Sequence, residues 1–122
     1  MAAVLTRLGA AFVRFLCQPQ AISPLRTVIA IADRMPEVGR RFYEFGPMCG
    51  IDRLATYLKD QCATGTLAID DCEVAAAQFL DACQSTMFKP MLFNVGGPPS
   101  EDRIRHVVGT AVRTFLAAYR VR

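Results

Sequence analysis

Two proline breaks, Met35-Pro36 and Gly46-Pro47, constrain the fold of this chain more than any other feature of the sequence. Before the first break, apolar side chains recur at helical spacing from Leu25 to Ala32, which predicts an amphipathic helix. Proline biases the preceding residue away from helical geometry, so this helix must end near residue 35. Pro36 suits the first turn of the next helix, which carries Phe42 and Phe45. Two helices broken in this way splay apart, and we expect apolar volume between them.

Helical spacing of apolar residues continues through the rest of the chain, with no strand-like alternation. Ser23-Pro24 is a typical helix start, Asp70 with Glu73 forms a capping box, and Ser100 caps the last helix. Residues 88–100 contain Gly96-Gly97-Pro98-Pro99 and are predicted to be an apolar loop. The prediction is an all-α domain over residues 1–122 with six helices, at about 2–17, 25–35, 36–46, 48–63, 70–87 and 101–119.

The composition points to a folded chain with apolar surface to spare. Hydrophobic residues make up 52% and charged residues 20% of the chain, which is incompatible with disorder. The mean hydropathy is +0.26, a value that favours an oligomer or a large apolar pocket over a closed monomer. The net charge of +3 is too small to predict nucleic-acid binding.

Motifs for catalysis, metals or cofactors are missing from the sequence. There is no phosphate loop, no H-E-x-x-H and no G-x-S-x-G. The five cysteines include no C-x-x-C pair, and His106 is the only histidine, so zinc-ligand spacing is absent. We expect free thiols, no cofactor, no metal and no enzymatic activity. Since no apolar run approaches the ~18 residues of a membrane span, no membrane partner is expected.

The N-terminal segment leaves a second interpretation open. Residues 1–32 contain Arg7, Arg14 and Arg26 and no acidic residue, a composition typical of mitochondrial transit peptides. The alternative is therefore a small helical mitochondrial assembly or interaction protein whose residues 1–20 are dispensable or disordered. If the chain is instead one packed domain, the same residues form a core helix.

The order of motifs resembles the C-terminal domain of TetR/AcrR-family transcriptional regulators, in particular the AefR-like subgroup. The resemblance rests on SPLRTVIAIADRMPEVGRRFYEFGP, IDRLATYLKDQCATGTLAIDDCEVAAAQFLDAC and the closing VVGTAVRTFLAAY. It covers nearly the whole chain. The matching positions are Arg26, Pro36, Phe42-Tyr43-Glu44, Gly46-Pro47, Leu54, Leu58, Gly65, Asp70-Asp71, Ala75-Ala76, Gln78-Phe79, Phe115-Leu116 and Tyr119.

The resemblance implies a homodimeric bacterial cytoplasmic regulator, such as a repressor, that responds to a hydrophobic small-molecule effector. The last two long helices would form a four-helix bundle in the homodimer, through Ala75, Phe79, Ala82, Val108, Ala111, Val112, Phe115 and Tyr119. The effector would lie between the first four helices, near Phe12, Phe15, Ile29, Phe42, Phe45, Met48 and Leu58, with Met87, Phe88 and Phe93 as a roof. The family's N-terminal helix-turn-helix domain is absent from this sequence, so we expect DNA binding only through such a domain.

Overall fold

The computed structural model describes residues 1–122 and is built of helices alone. The helices are α1 (Ala2–Leu16), α2 (Pro19–Ile31), α3 (Pro36–Phe45), α4 (Pro47–Ala63), α5 (Cys72–Cys83), α6 (Phe88–Leu92) and α7 (Glu101–Tyr119). The predicted all-α fold and its six helices are confirmed. The short α6 is an addition, since it lies within the segment predicted to be a loop. None of the helices combines the length and apolar character needed to cross a membrane.

The core forms where α1 packs against α5 and α7. Leu5 and Val13 of α1 are fully buried, as is Val108 of α7. Gly9 allows this close approach, because a Cβ atom there would lie 2.8 Å from the Cys83 Sγ and 2.9 Å from the Val108 Cγ1. The N-terminal helix is therefore central to the fold, and the mitochondrial alternative, which predicted that residues 1–20 are dispensable or disordered, has no support.

The connection between α4 and α5 ties both helices to the end of α7. Gly65 adopts a left-handed φ of +81° just after α4, where glycine carries no steric cost. The chain then pairs with the end of α7, since Ala68 N donates to Tyr119 O at 2.9 Å and Val121 N donates to Thr66 O at 3.1 Å. These hydrogen bonds fix the direction in which α5 leaves the turn.

The α2–α3 arm, defined as residues 19–45, contributes little to the core. Ile22 is the one buried residue of α2, and α3 has none. The arm is held to α6 by Arg26, whose Nε donates to Leu92 O at 3.0 Å and whose Nη2 donates to Met91 O at 2.6 Å. The predicted Met35-Pro36 and Gly46-Pro47 breaks both occur, with Pro36 and Pro47 opening α3 and α4.

The boundaries of two predicted helices were wrong. Helix α2 begins at Pro19, not after Ser23, and Pro24 lies inside it. The earlier turn forms because Gln18 O accepts from Ala21 N at 2.9 Å and from Ile22 N at 3.0 Å, whereas Pro24 sacrifices a single helical hydrogen bond.

Helix α5 is shorter at both ends than predicted. Its N-cap is Asp71, whose Oδ1 accepts from Val74 N at 3.1 Å, so the expected capping box of Asp70 with Glu73 does not form. The helix ends at Cys83 rather than near Met87. Thr86 has a φ of 66°, a left-handed conformation that a continuing helix excludes.

Candidate functional site

A groove of about 510 Å³ runs along the outer face of α5 and α7, on the side opposite α1. The two helices are antiparallel, because the end of α5 lies beside the start of α7. There the Arg103 Nη2 donates to the Thr86 Oγ1 at 2.7 Å. Exposed small side chains line the groove, including Ala82 on α5 and Ala118 on α7. Small residues at these positions let another helix approach the backbone closely.

Aromatic rings form the floor of the groove. Phe79 and Phe115 meet edge to face with ring centroids 5.3 Å apart, and Phe115 meets Tyr119 in the same way at 4.9 Å. Phe79 and Phe115 are buried, while Tyr119 is half-buried. Edge-to-face packing fixes the ring orientations, so the floor is rigid and apolar.

Polar groups line the rim of the groove. His106, Thr110 and Thr114 lie along the α7 side and Gln78 along the α5 side, and the lining includes no carboxylate. The Thr110 Oγ1 is already engaged, since it donates to His106 O at 3.0 Å. The arrangement suits the burial of a mostly apolar surface with a few hydrogen bonds at its edge.

Most of the predicted dimer residues line this groove. Six do so: Ala75, Phe79, Ala82, Ala111, Phe115 and Tyr119. Val108 instead turns toward α1, where it is fully buried beneath Gly9, and Val112 lines a separate recess together with Ala2 of α1. Sequence reasoning missed Thr110, Thr114 and Ala118, which also line the groove. Their spacing of four residues, which places small side chains in one row of a helix, was the signal available.

The predicted effector residues do not surround one closed cavity. Leu58 and Met87 are buried in the core. Phe12, Met48 and Phe88 are half-buried. The remaining five are exposed by 36% to 79% of their surface, namely Phe15, Ile29, Phe42, Phe45 and Phe93. The α2–α3 arm and its surroundings therefore present apolar side chains to solvent in this conformation.

One charged contact joins the start of α7 to α1. The Arg14 Nε and Nη2 each donate to the Glu101 carboxylate at 2.9 Å. This hydrogen bonding lowers the pKa of Glu101 and raises the pKa of Arg14. The pair closes the end of the bundle at which Ser100 caps α7, with the Ser100 Oγ accepting from Arg103 N at 3.1 Å. No group of three or more potential metal ligands occurs in the chain.

Comparison with known proteins identifies relatives of this arrangement. Residues 3–121 match the family described as the AefR-like transcriptional repressor, C-terminal domain. The fold is similar to that of a TetR-family transcriptional regulator from Mesorhizobium loti MAFF303099, with a TM-score of 0.92 and 25% identity over 99% of this chain and 60% of that one. No curated protein matches the chain.

Two further solved structures share the fold. The Flavonoid-responsive Regulator FrrA has a TM-score of 0.91 and 24% identity, covering 100% of this chain and 62% of its own. A TetR family transcriptional regulator from Pseudomonas syringae pv. tomato str. DC3000 has a TM-score of 0.80 and 19% identity, again over 100% and 62%. The chain thus spans less than two thirds of the length of each solved relative.

Proposed function

This chain belongs to the TetR family of transcriptional regulators, as an AefR-like C-terminal domain, and we propose that it pairs with a second copy of itself and binds an apolar small-molecule effector. The proposed role is regulatory, not catalytic. In this proposal DNA is read by a helix-turn-helix domain outside the 122 residues, and the whole domain, residues 1–122, transmits the effector signal.

The groove on α5 and α7 is the observation that carries the pairing proposal. Its floor of Phe79, Phe115 and Tyr119 is apolar and rigid, and its walls are low because they end in Ala82 and Ala118. Packed helices need an interaxial distance of only about 8–10 Å, which small side chains permit. A two-fold axis through the groove would place α5 and α7 of each copy against their counterparts and form a four-helix bundle.

The exposed α2–α3 arm supports the effector proposal. Ile29, Phe42 and Phe45 are exposed to water, and the arm buries only Ile22. A ligand held between the arm, α1 and α4 would cover part of that surface, with Phe12 and Met48 as half-buried groups at its base. Removing apolar area from water favours binding, so we propose an apolar effector without charged groups at its centre.

The proposed mechanism is a population shift. An effector that binds one arrangement of the arm more tightly than another moves the equilibrium toward that arrangement. The arm contacts α1 and α4, and α1 packs directly on α7. A changed arm position would therefore reach the dimer helices through α1 and alter the spacing of the attached DNA-reading domains.

Light scattering of the purified chain with two matched variants tests the pairing. Ala118→Glu places a carboxylate in the groove, whereas Ala117→Glu places the same group one residue away, on exposed surface outside the groove. We expect a dimer for the natural chain and for Ala117→Glu, and a monomer for Ala118→Glu, since burying an unpaired charge is costly. A natural chain that stays monomeric, or an Ala118→Glu variant that stays dimeric, would refute pairing through this groove.

Titration with the uncharged fluorescent probe N-phenyl-1-naphthylamine tests the effector site. We expect Phe42→Ala to weaken probe binding several-fold, because Phe42 lies on the arm. Val74→Ala is the control, since Val74 is half exposed but lies on α5. Equal affinities for the two variants would contradict a site at the arm, without affecting the pairing result.

A further inference from the structure

Two thiols meet where α4 leads into α5. Cys62 is the last residue but one of α4, and Cys72 is the first residue of α5. The Cys62 thiol is close enough to contribute to the raised pKa of Cys72, and helices α4 and α5 pack directly against each other. An ion pair beside them, Lys59 Nζ to Glu73 Oε1 at 3.7 Å, joins the same two turns. Lys59 lies one helical turn before Cys62 and Glu73 follows Cys72, so the ion pair connects the helix ends that carry the two cysteines.

Helical periodicity independently places both cysteines on the facing surfaces of α4 and α5. Leu58 and Cys62 are four residues apart and share one stripe of α4, and Leu58 is fully buried. Cys72 and Ala76 share the corresponding stripe of α5, and both are buried. The cysteines therefore belong to the packed interface between the two helices.

We propose that Cys62 and Cys72 are an oxidation site, at which a hydroperoxide converts the two thiols reversibly into a disulfide across the α4–α5 junction. The site is separate from the α5–α7 groove and from the arm, and it does not depend on the proposed function. Its closing would fix the end of α4 to the start of α5 by a covalent bond.

The unequal exposure of the two thiols sets the order of the reaction. Cys62 is half-buried, whereas only 8% of the surface of Cys72 is exposed, so peroxide reaches Cys62 first. The Cys62 sulfur attacks one peroxide oxygen and the O–O bond breaks, which gives a sulfenic acid and one water. The Cys72 sulfur then attacks the Cys62 sulfur and the S–O bond breaks, which releases a second water. The thiols lose two electrons in all, and a thiol such as glutathione reverses the reaction.

The charges around the pair are consistent with this order. Burial raises the pKa of the Cys72 thiol, its contact with Cys62 raises it further, and the nearby Lys59 ammonium opposes the shift. Cys72 is thus less available as a thiolate for the first step, which needs the thiolate as nucleophile. Cys72 is better placed as the resolving thiol that captures the sulfenic acid on its neighbour.

The other three cysteines serve as internal controls. Cys17 and Cys83 are buried at 2% and 0% exposure. Cys49 is exposed but lies in the first turn of α4, about 20 Å along the helix axis from Cys62 at 1.5 Å per residue. Exposure alone therefore predicts reaction at Cys49, whereas a paired site predicts a cross-link between Cys62 and Cys72.

Peptide mapping of the full chain after treatment with equimolar hydrogen peroxide distinguishes these outcomes. Cleavage before aspartate places every cysteine in a different peptide, in the order 1–32, 33–51, 60–69, 71–80 and 81–101. We expect peptides 60–69 and 71–80 to be joined and to separate on addition of dithiothreitol. Oxidation of peptide 33–51 with the other two still unjoined would overturn the proposal, as would irreversible oxidation of 60–69 without a cross-link.

Three variants test the assigned order. Cys62→Ser should abolish the cross-link, and Cys49→Ser should leave its yield unchanged. Cys72→Ser should leave a sulfenic acid on Cys62 that dimedone labels in peptide 60–69. Dimedone labelling of Cys49 in place of Cys62 would overturn the assignment. Should Cys72→Ser fail to fold, the mapping of the natural chain and of Cys62→Ser still decides the question.

Discussion

Adding one methyl group at Gly9 should destabilise the domain, although the same change usually stabilises a helix. A Cβ atom at this position would lie 2.8 Å from the Cys83 Sγ and 2.9 Å from the Val108 Cγ1. Contacts below 3.0 Å between such atoms force something to move. Cys83 and Val108 are both fully buried, so neither can swing toward solvent, and α1 itself must shift away from α5 and α7.

Two opposing effects set the size of the stability change in Gly9→Ala. Overpacking a buried contact costs about 1–3 kcal/mol, and replacing glycine by alanine inside a helix returns about 0.5–1 kcal/mol. We therefore expect Gly9→Ala to lower the free energy of unfolding by about 1–2 kcal/mol, because the steric cost in the folded state exceeds the gain in helix propensity.

Gly50→Ala is the matched control, since Gly50 lies in α4 and a Cβ atom added there would have no neighbouring atom within 4 Å. It should raise the free energy of unfolding by as much as ~1 kcal/mol. Urea unfolding followed by circular dichroism measures both, at one fixed protein concentration because pairing would make stability concentration-dependent. Equal stabilities for Gly9→Ala and Gly50→Ala would refute the argument that α1 is held at its closest possible approach.

Three further predictions follow from single contacts. Asp71→Ala should lower the free energy of unfolding by about 1 kcal/mol through loss of the α5 N-cap, whereas Asp70→Ala should change it little. If urea unfolding shows Asp70→Ala to be the more destabilising variant, Asp70 and not Asp71 is the N-cap. Arg26→Met removes the donors to Leu92 O and Met91 O, so hydrogen exchange in α6 should accelerate, and an unchanged rate would show that α6 is held by packing alone. Burial raises the pKa of Cys83 to about 12 from 9.0, so the natural chain should lose stability relative to Cys83→Ala as pH rises from 9 toward 12, by up to about 1.4 kcal/mol per pH unit; parallel pH profiles would contradict this.

Local signals in the sequence were enough to predict the helices and their breaks. Pro36, Pro47 and Ser100 act within a few residues of themselves, and each occupies the predicted position in the structure. Local signals fail where two compete. Pro19 and Pro24 can each open a helix, and Asp70 and Asp71 can each cap one, so residue type alone does not decide between them.

The orientation of α7 was harder to predict, because its apolar stripe is wide enough to serve two interfaces. Val108 looks like any other member of that stripe, yet it faces α1. Thr110, Thr114 and Ala118 look like a solvated face, yet they line the groove. Only the position of α1, which is set by the close contact at Gly9, decides which side of the helix is left open.

Buried residues are distributed unequally between the core helices α1, α5 and α7 and the α2–α3 arm, and this difference fits the proposed population shift. The helices α1, α5 and α7 share the main core, so their relative positions are costly to change. The arm is attached by Ile22, by the Arg26 hydrogen bonds to α6, by the packing of α3 on α4 and by two proline turns. Because it buries few residues, moving the arm exposes less apolar area than moving a core helix would. An effector shifts the equilibrium only through the difference in its affinity for two arrangements. Since a loosely packed arm costs little to move, we expect the differential binding free energy of a small ligand to be sufficient to move the arm against a fixed core.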